Sequence, residues 1–365
     1  MQKFKICFVG IIGIIVIMTA YYLRKQMNFR FRKSDTPPVI LLYEPHSERW
    51  FQPFNLSGVC SDYCIFTENK TFYKESQAVI FFRTLNAPPS IKIVNQKWIY
   101  LTFEPPIKQQ AILPRKPWIE KLESFDWLMS YERNSDLYVP FGRLEKVPTV
   151  KPPELNYSLI YSKKDREVAW LVSHCHTHSQ RETYIKELQK YINVDVYGGC
   201  GDKKCPADSG WGPGRLNSLT VCKTILSERY KFYLSFEQAL CDGYTSEKLY
   251  GIFESSNLMI PIVRGDPNIS KVLPTGTYIS TFDYQSIKDL ADHLKLVGST
   301  EEMYTAYLKR KLQYKLTRWK DNFVLGVCEL CSKLTWSQDN SNQQHVFNLR
   351  RRLTEDMCYV QSDIK

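Results

Sequence analysis

The sequence lacks several patterns that would assign a protein to a class at once. Its 365 residues contain no internal repeat, no low-complexity tract and no nucleic-acid-binding motif. The net charge of +11 comes from basic residues spread along the chain, so we expect no nucleic-acid partner. What remains is a globular composition, 43% hydrophobic and 24% charged. The chain is long enough for two domains of ordinary size.

Long charge-free apolar runs are also scarce. Residues 6–23, ICFVGIIGIIVIMTAYYL, form one such run of 18 residues. As a helix, such a run just spans a bilayer core of about 30 Å. We predict a retained signal anchor. The alternative is a cleaved signal peptide, but the run is longer than a usual signal segment, and Met18-Thr19-Ala20 is a poor cleavage site.

The orientation of this span follows from the rest of the chain. More basic residues follow the run than precede it. By itself this charge difference favours an orientation in which the residues after the run are cytoplasmic. Four N-glycosylation sequons lie downstream, at Asn55, Asn69, Asn156 and Asn268. Ten of the eleven cysteines also lie downstream, an even number suited to disulfides in an oxidising compartment. Since glycosylation takes place in the secretory lumen, we predict a single-pass type II protein with residues 1–5 in the cytoplasm.

The strand patterns after the span fall into two α/β groups. Residues 24–38 form a basic stem, and residues 39–150 carry the first group of short buried strands. The proline-rich residues 151–165 are the predicted linker. A second α/β pattern fills residues 166–325, and residues 326–365 form a C-terminal segment. The predicted fold is therefore α/β, with two Rossmann-like domains facing a cleft, preceded by a single transmembrane helix.

Individual elements can be placed within these groups. We predict strands at residues 39–43, 78–82, 97–103, 127–131, 168–172, 194–197, 230–236 and 258–263. We predict helices at residues 181–191, 287–296 and 300–319.

Residues 230–253, YKFYLSFEQALCDGYTSEKLYGIF, are predicted to form a strand, a tight turn and a helix. Gly243 can adopt the positive φ that the turn requires. Thr245 or Ser246 can cap the helix, whose apolar positions are Leu249, Ile252 and Phe253. Free backbone N–H groups and Lys248 then meet at the start of the helix, which suits a diphosphate.

Five ordered blocks within residues 95–331 resemble one known family. YKFYLSFE and YTSEKL are similar to the signature of the α1,3-fucosyltransferases of the glycosyltransferase family 10 type. The further blocks are KWIYLTFEPP, WLMSYERNSDLYVPFG, VAWLVSHC with VDVYGGCG, and CELC. The resemblance implies a Golgi membrane enzyme of the glycosyltransferase B fold. Its C-terminal domain would hold GDP-fucose as the donor substrate, and its acceptors would be glycans on glycoproteins or glycolipids.

Glu104 is the candidate general base. An inverting sugar transfer needs a carboxylate that takes the proton of the attacking hydroxyl. Glu104 follows a predicted strand and precedes Pro105-Pro106, and the resemblance implies the same role. In the family a serine stands at the position of Pro105. Without the resemblance, Glu104 is an ordinary solvated loop residue.

Arg181 and Lys248 are the candidate ligands of the diphosphate. The sequence contains no Asp-x-Asp motif, on which many metal-dependent transferases bind their cation. Two fixed cations would then stabilise the departing GDP instead, and we predict no protein-bound metal. Stimulation by Mn²⁺ or Mg²⁺ remains open.

The resemblance implies further donor contacts, from Tyr244, Glu247, Gln238, Glu237 and His174. Gln238-Ala239 stands where the family has Asn-Ser. Glutamine keeps the amide and adds one methylene, whereas alanine lacks the hydroxyl. Three histidines of the HCHTH segment at residues 174–178 raise a zinc site as an alternative. We predict instead a loop that leads to the donor, with Cys175 in a disulfide.

The cysteines fall into sets. The resemblance implies that Cys60 and Cys64 pair with Cys328 and Cys331, which would attach the C-terminal segment to the first domain. A zinc half-site or a redox pair is the alternative for Cys328-x-x-Cys331. The pairing of the other lumenal cysteines stays open.

The predicted function is transfer of L-fucose from GDP-β-L-fucose to a GlcNAc hydroxyl, with inversion. One alternative is a non-catalytic Golgi homologue that binds GDP-fucose or scaffolds other glycosylation enzymes, because Gln238-Ala239 departs from the family signature. Another is a related transferase that uses a different nucleotide sugar or linkage. The acceptor and the oligomeric state stay open.

Overall fold

The computed structural model describes residues 37–43, 60, 64–82, 88–110, 119–147, 155–205, 215–336 and 357–359. The predicted membrane anchor, nearly all of the predicted stem, and Asn55 lie outside these residues. Within the described residues, no helix is both long enough and apolar enough to cross a membrane.

The first domain is built on a parallel six-stranded sheet. Its strands are β1 (Val39–Tyr43), β2 (Ile65–Thr67), β3 (Ala78–Phe82), β4 (Lys97–Thr102), β5 (Trp127–Ser130) and β6 (Leu137–Tyr138). Their spatial order is β2-β1-β3-β4-β5-β6. Every residue of β3, AVIFF, is buried, as expected for a strand covered on both faces.

The two faces of this sheet have different partners. One face packs an aromatic cluster in which the rings of Phe81 and Trp98 lie 4.9 Å apart. The other face packs against the last long helix, Trp319–Trp336, through Phe323, Val327 and Leu330. A segment that follows the second domain in sequence therefore completes the core of the first.

The second domain has a parallel five-stranded sheet. Its strands are β8 (Arg166–Leu171), β9 (Val194–Tyr197), β10 (Tyr230–Phe236), β11 (Ile260–Arg264) and β12 (Ile279–Ser280). Their spatial order is β12-β11-β10-β8-β9. Helices Arg181–Leu188, Ile287–Ser299 and Glu301–Lys311 cover one face, and helix Arg215–Arg229 covers the other. The α/β prediction is thus confirmed, since both sheets are parallel and covered by helices.

A two-stranded antiparallel ribbon joins the domains. It pairs β7 (Gly142–Lys146) with β13 (Tyr314–Arg318) in register from Gly142 opposite Arg318 to Lys146 opposite Tyr314. The predicted continuous helix at residues 300–319 is therefore wrong. Its first part is the helix Glu301–Lys311, and β13 follows. The segment YKLTR alternates large apolar and polar side chains, which suits a strand once a partner strand is available.

Shorter elements complete the described chain. The α-helices are Pro106–Gln110, Tyr157–Ser162 and Glu247–Tyr250, and the 3₁₀ helices are Lys70–Lys74, Ile119–Ser124, Ile269–Lys271 and Thr281–Asp283. The helix Tyr157–Ser162 falls inside the predicted linker and packs on the second domain, where the Tyr161 hydroxyl donates to the Gly298 carbonyl at 3.0 Å.

Five disulfides cross-link the described residues. Cys60–Cys328 and Cys64–Cys331 tie the first domain to the helix Trp319–Trp336. Cys175–Cys200 and Cys205–Cys222 lie within the second domain. Cys241–Cys358 attaches the C-terminal residues 357–359 to the turn after β10.

Candidate functional site

The site lies where the strand order of the second sheet reverses. From strand β8 the chain goes to β9 on one side, and later to β10 on the other. Open parallel sheets bind ligands in the crevice beside the carboxyl ends of two such strands. The loops that leave β8 and β10 border this crevice, and they contain the predicted residues His174, Gln238 and Tyr244.

Glu237 follows β10 directly and is 2% exposed. Its carboxylate accepts hydrogen bonds from the Ser246 backbone N–H at 2.8 Å and from the Ser246 hydroxyl at 2.8 and 2.9 Å. Gly265 leaves room for it, because a Cβ there would lie 2.7 Å from the Glu237 side chain. Glu237 thus fixes the loop that ends at Ser246, and its contact with the donor stays a prediction.

Ser246 caps the helix Glu247–Tyr250, as predicted for Thr245 or Ser246. The helix is only one turn long, so Ile252 and Phe253 lie beyond it, unlike in the predicted longer helix. Both are nevertheless buried. The macrodipole of so short a helix is small, and the positive charge at this point comes mainly from Lys248.

Lys248 lies between two carboxylates. Its ammonium is 3.3 Å from Glu237 Oε2 and 3.2 Å from Glu247 Oε1. Desolvation lowers the pKa of Lys248, but the charges of Glu237 and Glu247 outweigh it and raise this pKa above its ordinary value. Desolvation raises the pKa of Glu247, but the charges of Lys248 and Lys223 outweigh it and lower this pKa to about 2. Lys248 is therefore a permanent cation, and its side chain is still 26% exposed.

Arg181 begins the helix Arg181–Leu188 and is 3% exposed. Its guanidinium donates to the Phe236 carbonyl at 2.6 Å and to the His174 carbonyl at 3.0 Å. It therefore links the carboxyl ends of β8 and β10 beneath the crevice. Burial lowers the pKa of Arg181 from its ordinary value, with the charge of Glu237 opposing.

Glu104 approaches the crevice from the first domain. It follows β4, and its side chain is 22% exposed. Its carboxylate oxygen Oε2 accepts from the Gln238 amide at 2.9 Å and lies 3.1 Å from the Lys108 ammonium. The same amide nitrogen donates to the Tyr244 hydroxyl at 3.0 Å. The structure thus brings Glu104, Gln238 and Tyr244 from two domains into one hydrogen-bonded group.

Ala239 lies in an apolar setting. It is 1% exposed and packs with Tyr131, Tyr244 and Cys241. A serine hydroxyl would need a hydrogen-bond partner in this cluster, whereas alanine needs none. The substitution at this position therefore fits its surroundings.

The crevice encloses a cavity of about 340 Å³ between the two domains. Pro105 and Lys108 line it from the first domain, and His174, Glu182 and Gln238 line it from the second. Burial, Lys108 and Arg181 lower the pKa of His174, so its imidazole is neutral at neutral pH. This volume lies at the lower end of the range of small-molecule sites.

The histidine segment is a fixed loop. Cys175 is bonded to Cys200 and is not available as a metal ligand. Glu182 accepts from the Thr177 backbone N–H at 3.2 Å and from its hydroxyl at 3.0 Å. Among the described residues, no group of three or more His, Cys, Asp or Glu side chains is arranged to hold a metal ion.

Sequence reasoning missed Lys223 on the helix Arg215–Arg229. Its ammonium donates to the carbonyls of Glu247 and Lys248 at 3.1 and 3.3 Å. Burial lowers the pKa of Lys223 to about 8. Its apolar neighbours in sequence made it look like an ordinary helical lysine, and the contact depends on tertiary packing.

The three described sequon asparagines, Asn69, Asn156 and Asn268, are all exposed. Asn69 and Asn156 cap short helices through their side chains. Asn268 lies beside the turn after β10, with its amide 3.4 Å from Asp242 Oδ1.

Two family models match the chain. "Fucosyltransferase, N-terminal" covers residues 35–142, and "Glycosyltransferase family 10 (fucosyltransferase) C-term" covers residues 161–351. The chain belongs to glycosyltransferase family 10. The two matched regions contain the two sheets described above.

Curated relatives agree with this family. The chain is 31% identical over 273 residues to alpha-(1,3)-fucosyltransferase C of Drosophila melanogaster, covering 70% of this chain and 59% of that protein. It is 31% identical over 321 residues to 3-galactosyl-N-acetylglucosaminide 4-alpha-L-fucosyltransferase FUT3 of Pongo pygmaeus, covering 81% and 77%. The chain thus spans less than two thirds of the fly relative.

Among solved structures, this family 10 chain is similar to an alpha1,3-fucosyltransferase crystallised with GDP-fucose. The TM-score is 0.46 at 16% identity, covering 86% of this chain and 94% of that one.

Proposed function

We propose that this family 10 protein is an inverting α1,3-fucosyltransferase that moves L-fucose from GDP-β-L-fucose to a GlcNAc hydroxyl of a glycoprotein or glycolipid glycan. One observation supports this above others. The Glu104 carboxylate of the first domain accepts a hydrogen bond at 2.9 Å from Gln238 of the second, a residue that lines the cavity. An acid–base group is thereby held beside the ligand crevice of an open parallel sheet.

The chemistry assigns one role to each side of the cleft. Glu104 takes the proton of the acceptor hydroxyl as its oxygen forms a bond to the anomeric carbon of fucose. The bond from that carbon to the diphosphate oxygen breaks, and GDP leaves with the electron pair. Attack from the face opposite the leaving group inverts the configuration.

The positive charge of Lys248 stabilises the negative charge that develops on the departing diphosphate. Arg181 supports the crevice indirectly, because its guanidinium holds the His174 and Phe236 carbonyls in place. His174 lines the cavity, and Tyr244 and Glu247 lie on the loop and the short helix that follow β10; we assign these three residues to the donor. In this mechanism no step requires a protein-bound metal, and stimulation by Mn²⁺ or Mg²⁺ is measured by adding each ion or a chelator.

The proposal includes the architecture and the location. Two parallel-sheet domains with a cleft between them support the glycosyltransferase B fold, and the sequence of residues 6–23 supports a Golgi type II anchor with the catalytic region in the lumen. The domain boundaries at residues 150, 165 and 325 remain predictions of the same kind.

The test uses the full chain in detergent with GDP-fucose and an array of GlcNAc-terminated and LacNAc glycans. We expect fucose transfer to at least one acceptor. Absence of transfer to every acceptor, with GDP binding retained, would favour the non-catalytic homologue over the enzyme.

The role of Glu104 is tested by Glu104→Ala. Losing the general base is expected to lower kcat by at least about 100-fold, with little change in GDP affinity measured by calorimetry. Glu75→Ala, which removes an exposed carboxylate of the same domain, is the matched control. A Glu104→Ala variant as active as the control would remove Glu104 from the mechanism.

A further inference from the structure

We propose that Gln238 is a positioning residue that orients the Glu104 carboxylate across the cleft between the domains. The inference rests on the proposed function, because it assigns Gln238 to the base rather than to the donor.

The hydrogen bonds of Gln238 determine what its amide can do. Nε2 carries two protons, and it lies 2.9 Å from Glu104 Oε2 and 3.0 Å from the Tyr244 hydroxyl. An ionised carboxylate only accepts hydrogen bonds, so the amide nitrogen must face it. Each of the two protons thus has an acceptor, and the amide plane is fixed by both.

The groups around Gln238 are themselves held in place. Its backbone carbonyl accepts from the Ser179 N–H at 3.1 Å. Tyr244 is 2% exposed, and its ring lies 5.2 Å from that of Tyr131 in the first domain. Because its surroundings are fixed, the Gln238 amide can fix the direction of the Glu104 carboxylate through their hydrogen bond. A mobile surface amide could not do this.

The length of the side chain matters. Asparagine is shorter than glutamine by one methylene, about 1.5 Å along the chain. From the same backbone position its amide would lie beyond hydrogen-bond range of Glu104. Glutamine therefore suits a contact that reaches into the other domain.

Lys108 and Gln238 act on the same oxygen. The Lys108 ammonium is 3.1 Å from Glu104 Oε2 and comes from the first domain, whereas Gln238 comes from the second. Lys108 lies on the same domain as Glu104. The Gln238 contact, in contrast, links the base to the domain that borders the donor crevice.

The experiment compares kinetics of the full chain with those of Gln238→Asn and Gln238→Ala. Because one hydrogen bond to a charged group is lost, we expect kcat to fall by about 10- to 100-fold in both variants, with asparagine no better than alanine. The KM for GDP-fucose should stay within about twofold. The matched control is Gln189→Asn, which shortens an amide that donates to the Val194 carbonyl elsewhere in the same domain.

The split between kcat and KM separates positioning from donor binding and from general structural damage. A lower kcat with an unchanged KM for GDP-fucose is expected in both Gln238 variants, but not in Gln189→Asn. A higher KM for GDP-fucose with an unchanged kcat would assign Gln238 to the donor and overturn the proposal.

A double-mutant cycle tests the contact without any assay of activity. Thermal unfolding is measured for the wild type, Glu104→Ala, Gln238→Ala and the double variant. Coupled effects are expected, and strictly additive effects would overturn the proposal. A wild type that transfers no fucose would defeat the proposed function, and with it this role. An active wild type with unchanged Gln238 variants would defeat the positioning role alone.

Discussion

Two lysines of the second domain, Lys248 and Lys311, have different partners. At the crevice, Lys248 lies within 3.3 Å of the carboxylates of Glu237 and Glu247. Behind the sheet, Lys311 donates to the carbonyls of Ile252, Asn257 and Met259 at 3.0, 2.7 and 2.6 Å. Each ammonium is satisfied, but only the first has opposite charges beside it.

The partners decide the charge state of each lysine. The pKa of Lys248 is raised because carboxylates outweigh desolvation. Burial lowers the pKa of Lys311 well below its ordinary value, and the nearby charge of Lys164 adds to this. Carbonyl dipoles satisfy the hydrogen bonds of an ammonium without repaying the full cost of burying its charge. The carboxylates thus favour the charged form of Lys248, whereas burial disfavours the charged form of Lys311.

Removing the carboxylate at the crevice should have the largest effect on stability. Glu237→Ala leaves Ser246 without its acceptor and Lys248 with one fewer counter-charge. Since breaking a buried ion pair typically costs about 3 to 5 kcal/mol, we expect a loss of that order in the free energy of unfolding, measured by urea denaturation. The control, Glu187→Ala, removes a more exposed partner of Lys190 and should cost less than about 1 kcal/mol. Equal losses in Glu237→Ala and Glu187→Ala would mean that the buried carboxylate stabilises the fold no more than the exposed one.

Removing the structural lysine should have a smaller effect. Lys311→Met preserves the apolar stem but leaves three buried carbonyls without their donor. We expect a loss of about 2 to 3 kcal/mol in the same urea measurement, because unsatisfied buried groups are costly. Lys186→Met, on an exposed position of another helix, is the control. A change no larger than in that control would mean that water replaces the ammonium at little cost.

The smallest expected effect is a pH dependence. Burial lowers the pKa of Lys164 to about 7, with the charge of Glu228 opposing. An unfolded lysine keeps its proton to about pH 10.4. From about pH 7 up to that value the unfolded chain binds the extra proton, so stability should rise with pH. Below about pH 7 the lysine is protonated in both states, and the burial cost is fully present.

This pH dependence is measured as the difference in thermal midpoint between the wild type and Lys164→Met. Between about pH 6 and pH 8.5 the wild type should gain roughly 4 to 8 °C relative to the variant, equivalent to about 2 kcal/mol. Parallel curves would show that Lys164 does not titrate in this window.

Local sequence patterns predicted the strands well where burial is continuous. The bounds of β3 (Ala78–Phe82), β9 (Val194–Tyr197) and β10 (Tyr230–Phe236) agree with the predicted ranges. The error at residues 300–319 has a different origin. The strand β13 exists because β7, far away in the chain, offers it a partner, and no local pattern contains that information.

For the candidate site, the sequence predicted which residues take part but not the contacts between them. Motif resemblance named Glu104 and Gln238 separately, but it could not show that they are hydrogen-bonded to each other across the cleft. Arg181 was expected at the diphosphate, whereas its guanidinium binds backbone carbonyls below the crevice. The direction of a long side chain depends on the packing around it. The sequence therefore indicates which element carries Arg181, but not where its guanidinium lies.

The ribbon of β7 and β13 sets the way in which the two domains can move. At this ribbon the chain passes from the first domain to the second and returns, and the two passages are hydrogen-bonded to each other along five residue pairs. Sliding β7 along β13 would break all the backbone hydrogen bonds between the two strands. Bending the ribbon perpendicular to its plane would keep these hydrogen bonds. The ribbon therefore favours tilting of one domain against the other, which preserves its ladder, over sliding of one domain along the other.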